Sequence, residues 1–184
     1  MCIGMADYKN RKYIILPYDP KWVIDFESYA IKLRPVFPRA RIEHIGSTSV
    51  PGMFGKPTID LLVTVEDINK VEEKVSDMEQ IGFSYAGEFV MPHTRLFRVM
   101  RENELLANIH FFPHGHSHVA EMIRLRDYLR SEPNEVKAYS KLKEDLAEKY
   151  SQDYASYRKN KDEYVAELMK RVVVSTREGL SVKD

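Results

Sequence analysis

Apolar residues change their spacing several times along the chain, and each change marks an element. Residues 13–16 form a short apolar run closed by Pro17, which predicts a strand. Asp19 before Pro20 reads as a helix start, and Trp22, Phe26, Ala30 and Leu33 recur at helical spacing as far as Pro35. Residues 41–45 read as a strand, and residues 46–57, punctuated by Gly, Ser and Pro, as a loop. Residues 58–65 are apolar at nearly every position, the pattern of a strand buried on both faces. Asp67 can cap a helix whose stripe is Ile68, Val71, Val75 and Met78, with Gly82 beyond it. Strands at about 94–101 and 105–112 flank Glu102-Asn103 and predict a hairpin. Three helices follow, at 117 to about 130, 133 to about 150, and about 153 into the valines at 172–174. The tail after Gly179 is expected to fray.

This order predicts an α+β (α/β) fold, with a sheet core flanked by helices and a helical C-terminal layer. The sheet must be mixed, because a hairpin is antiparallel. A chain of 184 residues has the length of one domain. The sheet core is expected over about 13–116 and the C-terminal helices over about 117–175. Hydrophobic residues at 43% and charged residues at 30% fit a globular chain. No apolar run reaches the roughly 18 residues a membrane span needs. The first residues, MCIGMADYKNRK, lack a signal-peptide core, so a cytoplasmic protein is expected. Basic and acidic residues balance at 28 each, which excludes a polyanion binder working by bulk charge. Cys2 is the only cysteine, so neither an intramolecular disulfide nor a cysteine-based zinc site can form.

The chemistry concentrates in the loop at 46–57. Gly46, Ser47, Thr48 and Ser49 directly follow a strand, where backbone N–H groups and hydroxyls can converge on an anion. Asp60 is the one acid in an apolar strand, and such a charge needs a partner. Either a divalent cation held against the same phosphate supplies it, or Asp60 accepts hydrogen bonds from a tight connection. Strand alternation puts Thr58, Asp60 and Leu62 on one face, Leu96, Arg98 and Met100 on another, and Asn108, His110 and Phe112 on a third. If these faces coincide, Asp60, Arg98 and His110 floor one pocket.

Other polar positions carry weaker signals. His44, just before the loop, is a phosphate contact or base, or else an anchor for the loop. Arg126 lies on the apolar stripe of its helix, which suggests an anion ligand or an internal ion pair. His114, His116 and His118 alternate as transition-metal chelators can, although a solvated loop entering a helix explains them better. Tyr139, Lys141, Lys143, Tyr150, Tyr154, Tyr157, Lys159 and Lys161 interleave as in single-strand binders. Acidic residues alternate with them, so a solvated helical surface is the better reading and nucleic acid is not the expected partner.

Residues 42–52 (IEHIGSTSVPG), with Lys56-Pro57 and Ile59-Asp60, resemble the signature of the GrpB-like proteins of the nucleotidyltransferase superfamily. Tyr18-Asp19-Pro20-Lys21-Trp22, Asn108-Ile109-His110, Arg126-Asp127-Tyr128-Leu129-Arg130 and Tyr139-Ser140-Lys141-Leu142-Lys143 extend the resemblance over residues 13 to about 170. It implies that Gly46 and Ser47 form a nucleotide phosphate loop and that Asp60 binds metal. In that superfamily carboxylates hold two magnesium ions during in-line nucleotidyl transfer. Here Thr58 and Leu62 stand where the Asp-x-Asp pattern would place another acid, and His110 where a later strand would supply one.

The expected function is binding of a nucleoside triphosphate and one divalent metal (magnesium first, manganese or zinc otherwise), with nucleotidyl transfer to a small acceptor. Asp60 and His110 are the expected catalytic and metal residues. His44, Gly46, Ser47, Thr48, Ser49, Lys56, Arg98 and Arg126 are the expected phosphate ligands. Two alternatives stand beside it. One is a non-catalytic protein that binds a nucleotide, a coenzyme or another phosphate-bearing small molecule at a degenerate active site. The other is a phosphoesterase using metal on His44, His110 and the loop from His114 to His118.

Overall fold

The computed structural model describes residues 13–88 and 91–180, with side chains as far as residue 173. The readings of the first twelve residues, Cys2 included, and of the last four lie outside the described residues. Helix α1 (Lys21–Val36) begins where Asp19 accepts the Lys21 N–H at 2.9 Å. It buries the anticipated Trp22, Phe26, Ala30 and Leu33. Strands β1 (Arg41–Ile45), β2 (Ile59–Val65), β3 (Ser84–Gly87), β4 (Arg95–Arg101) and β5 (Glu104–Pro113) form one sheet in the order β1-β2-β5-β4-β3. Only β2 and β5 run parallel; the other neighbours are antiparallel, so the sheet is mixed as expected.

The sheet's two faces are covered differently. Ile59, Leu61 and Val63, with Phe97, Ala107, Ile109 and Phe111, pack under α1 and the short helices α2 (Lys70–Glu73) and α3 (Val75–Gln80). This face holds most of the core and most of the apolar burial that drives folding. On the other face, Ile45, Leu62 and Phe112 are covered by Val119, Met122 and Ile123 of α4 (Ser117–Ser131). Helices α5 (Pro133–Lys149) and α6 (Tyr154–Leu180) complete the C-terminal layer. Loop residues Val50 and Met53 join Leu129, Val136, Tyr139 and Leu168 in a second core that fastens the loop to these helices.

Three local differences from the sequence expectations appear. Residues 13–16 form no strand; Leu16 makes a single bridge with Gly55, and Pro17 ends any ladder. The helix expected after Asp67 breaks at Lys74 into α2 and α3, both of which stay docked through buried Val71 and Met78. Nothing in the packing explains that break. Strand β3 was unanticipated because Ser-Tyr-Ala-Gly offers no apolar alternation; it is held as an edge by pairing with β4.

Candidate functional site

The register brings the anticipated faces together. Asp60 lies opposite Asn108, and Asn108 opposite Arg98, in one row across β2, β5 and β4. The next row is Leu62, His110 and Leu96. Helix α4 covers the Leu62 and Phe112 end of this face, while the Asp60 side chain stays 30% exposed and His110 21% exposed. Asp60, Arg98 and His110 therefore share one sheet face, with Asn108 between them.

Asp60 Oδ1 accepts the Asn108 amide at 2.9 Å, and His110 Nε2 lies 3.5 Å from the same oxygen. Burial works to raise the carboxyl's pKa. The His110 hydrogen bond and charge, the Asn108 amide and the Lys56 ammonium outweigh it and hold the group below the usual carboxylate range. Asp60 is thus an anion near neutral pH.

Two glycines let the bend approach. Gly46 is exposed, with φ at +73°, and a β-carbon there would stand 2.7 Å from Asp60 Oδ2. A β-carbon at Gly55 would stand 2.8 Å from that of Ser47. Together they bring Gly46 against the acid and pack the next residue, half-buried Ser47, against Gly55, on the side of the C-terminal helices.

From those helices comes a residue that sequence reasoning assigned to a solvated surface. Lys143 is 1% exposed. Its Nζ donates to Ser47 Oγ at 2.9 Å and to the Phe54 carbonyl, and sits 4.4 Å from the centroid of the Tyr139 ring. Among the described residues no carboxylate pairs with it. Burial, aided by the charge of Lys161, pushes its pKa down to about 7. The signal was in the spacing: Lys143 falls on the same buried stripe of α5 as Val136, Tyr139, Ser140 and Leu146. Lys56, an expected ligand, donates to the Tyr154 hydroxyl and lies 4.7 Å from that ring's centroid. Lys161 pairs with Asp162 at 2.6 Å, and Tyr139, Asp162 and Tyr154 lift its pKa despite burial.

Four expected phosphate ligands face inward instead, and correct the sequence reading. His44 lies opposite Leu61, on the sheet face away from Asp60, stacked on Phe26 at 4.6 Å. Its Nε2 is 2.9 Å from Thr48 Oγ1, so both side chains anchor the bend. Burial lowers the His44 pKa to about 4, keeping the ring neutral. Ser49 Oγ donates to the Gly46 carbonyl at 2.7 Å. Arg126 is tied to Glu43 at 2.6 Å, Asp127 at 2.7 Å and the His44 carbonyl at 3.1 Å, which answers its charge internally. Its neighbour Arg130, expected in solvent, grips the Ser49 carbonyl through Nε and Nη2.

The histidine-metal alternative loses its ligand set. His116 caps α4 by accepting the His118 N–H, and His118 Nδ1 lies 2.8 Å from Glu121. Among the described residues no three His, Cys, Asp or Glu side chains gather closely enough to hold a metal by themselves.

A family model described as GrpB protein matches residues 12–171. The chain belongs to the GrpB family. GrpB-family relatives include UPF0157 protein BH1888 of Halalkalibacterium halodurans, 33% identical over 171 residues, which are 92% of this chain and 87% of that protein. Glutamate-rich protein GrpB of Alkalihalophilus pseudofirmus is 31% identical, over 90% of this chain and 98% of its own. The solved conserved protein GrpB from Enterococcus faecalis superposes with a TM-score of 0.83 at 32% identity, covering 89% of this chain and 99% of that one. The Cid1 poly(U) polymerase bound to magnesium and 3'-dATP aligns with a TM-score of 0.54 at 14% identity, over 78% of this chain and 48% of the polymerase. At that identity the likeness is one of fold, and this GrpB-family chain has a nucleotidyltransferase-like fold. No helix among the described residues is long and apolar enough to cross a membrane.

Proposed function

We propose that the chain binds a nucleoside triphosphate with its phosphate tail on the bend at Gly46 and Ser47, and transfers the nucleotidyl group to a small acceptor. The observation that carries this reading is the position of Ser47, with a partly exposed anion on one side and a buried lysine without an acid on the other. A polyphosphate bridging the two would find donors at Ser47 and Lys143 and would need a cation between itself and Asp60. Lys56 and Lys161, set among Tyr154 and Tyr139, extend positive charge along the same side. Arg98, in the Asp60 row, adds positive charge on the same sheet face.

The donor set suits one divalent ion. Asp60 and His110 would hold it jointly with the bound phosphate, and it would neutralise charge at the phosphorus under attack. Its mixed oxygen and nitrogen donors favour manganese over magnesium. A two-ion clamp does not fit. The positions two before and two after Asp60 are Thr58 and Leu62, and those across from it are Ile45 and Asn108. In the transfer the acceptor hydroxyl attacks the α-phosphorus, the bond to the β-phosphate oxygen breaks, and pyrophosphate leaves. With Asp60 and His110 committed to the ion, the hydroxyl proton passes to solvent.

The missing second acid also favours a second reading, a nucleotide binder without turnover. Calorimetric titration with ATP, GTP, CTP and UTP in the presence of manganese, followed by assay of pyrophosphate release with a mixture of hydroxyl acceptors, separates the two. Binding with pyrophosphate release that Asp60→Asn abolishes supports transfer. Binding that survives Asp60→Asn, with no release by the wild type, supports the binder. Silence with all four nucleotides contradicts both.

A further inference from the structure

A buried lysine without an acid is unusual, because the charged form is costly away from water. Lys143 meets only neutral oxygens directly: Ser47 Oγ and the Phe54 carbonyl from the loop. Its own helix presents the Tyr139 ring, in contact through its face. From α6 come Lys161, whose charge opposes that of Lys143, and Asp162, already paired with Lys161. Tyr154 and Tyr157 complete that side, and the Lys56 ammonium is held against Tyr154. The neighbourhood therefore carries more cation than anion. A neutral amine has two N–H groups, and the two oxygens accept both. An ammonium has three, and its third has no acceptor among the described residues.

We propose that Lys143 is a proton-linked anion sensor: it is uncharged while the bend is empty and takes up a proton when a phosphate group reaches Ser47. This rests on the phosphate-tail reading and adds to it how the site supplies its charge. A phosphate hydrogen-bonded to Ser47 Oγ brings negative charge within two hydrogen bonds of Lys143 Nζ, in a poorly screened site where it favours the ammonium. Affinity for the phosphate tail thereby becomes coupled to pH through a residue that need not touch the reacting atoms. The value of about 7 for the empty site, far below the usual lysine range, leaves about half the amines uncharged at pH 7 and most of them at pH 8, so the coupling falls in the physiological range.

The test is calorimetric titration of the full chain with ATP at pH 8, with and without magnesium, in Tris and in HEPES. The two buffers differ in ionisation enthalpy, so the difference in heats counts protons. Terminal phosphates have a second pKa of about 6, so at pH 8 any proton taken up goes to the protein. Wild type is expected to take up about 0.9 of a proton per ATP bound, given a starting value of about 7. Lys143→Met is expected to take up none, and Lys141→Met, altered at an exposed lysine of the same helix, the wild-type amount. Nitrogen NMR of the lysine side chains in the wild type reads the same event without any substitution: one neutral amine becomes an ammonium as ATP is added. ATP binding without proton uptake, or uptake that persists in Lys143→Met, overturns the sensor and leaves the phosphate-tail reading standing. No binding of ATP, GTP, CTP or UTP, with magnesium or with manganese, overturns both.

Discussion

Asp60 and Lys143 lie at opposite ends of one bend, and the molecule treats their charges in opposite ways. Asp60 is an anion on an open sheet face, held ionised by His110, Asn108 and Lys56. Lys143 is sealed between loop and helix, with neutral oxygens as its direct partners. The acid is ready before any ligand arrives, whereas the lysine acquires its charge with one. The lesson is that burial decides whether a site group is fixed or conditional. A group that water still reaches can stay charged with modest help, and a group that water cannot reach waits for its counter-charge.

The largest effect should come from collapsing the space between the two ends. Gly46→Ala combines a left-handed backbone with a β-carbon 2.7 Å from Asp60 Oδ2. It should lower stability by about 2 kcal/mol in urea denaturation and abolish nucleotide binding in calorimetry. Next, Asp60→Asn should leave nucleotide affinity within about tenfold while cutting pyrophosphate release by about 10²-fold or more. Loss of affinity without loss of turnover would reverse the roles assigned to the two ends.

The Lys143 end can be sharpened by pH. From about pH 7 up to 10.5 the unfolded chain holds a proton that folded Lys143 has lost, so stability rises with pH in that window. Below about pH 7 both states are protonated and the contribution is flat. Lys143→Met should remove the rise and add about 1 kcal/mol of stability at pH 7, read by urea denaturation from pH 6 to 10. His44 gives a smaller effect of the same sign on the acid side. Its folded value near 4 against 6.5 unfolded means that stability falls as pH drops through that interval and levels off below it. His44→Gln should flatten this slope between pH 6.5 and 4.

The two ends also differ in how legible they were in the sequence. Asp60 stands out because a strand has a period of two, and a lone acid among Ile59, Leu61, Leu62 and Val63 has nothing to hide behind. The same period places Asp60, Arg98 and His110 each on one face of its own strand, and strand pairing brings the three faces together. The signature around the bend was specific enough to identify the GrpB family and the nucleotidyltransferase-like fold. Lys143 was obscured because amphipathic helices carry many lysines, and its neighbours Lys141, Glu144 and Asp145 do face solvent. Only its place on the Val136, Tyr139 and Leu146 stripe marked it. His44, Thr48, Ser49 and Arg126 were read as ligands from their residue types. Their inward hydrogen bonds depend on packing across the sheet and α4, which linear spacing does not encode.

A phosphate tail seated on Ser47 between these two groups should depend on the serine hydroxyl. Calorimetric titration of wild type and Ser47→Val with manganese and ATP should give one saturable site in the wild type and at least about tenfold weaker binding, 1.4 kcal/mol, in the variant. Equal affinity in both proteins would contradict that seating, as would the absence of any binding in the wild type.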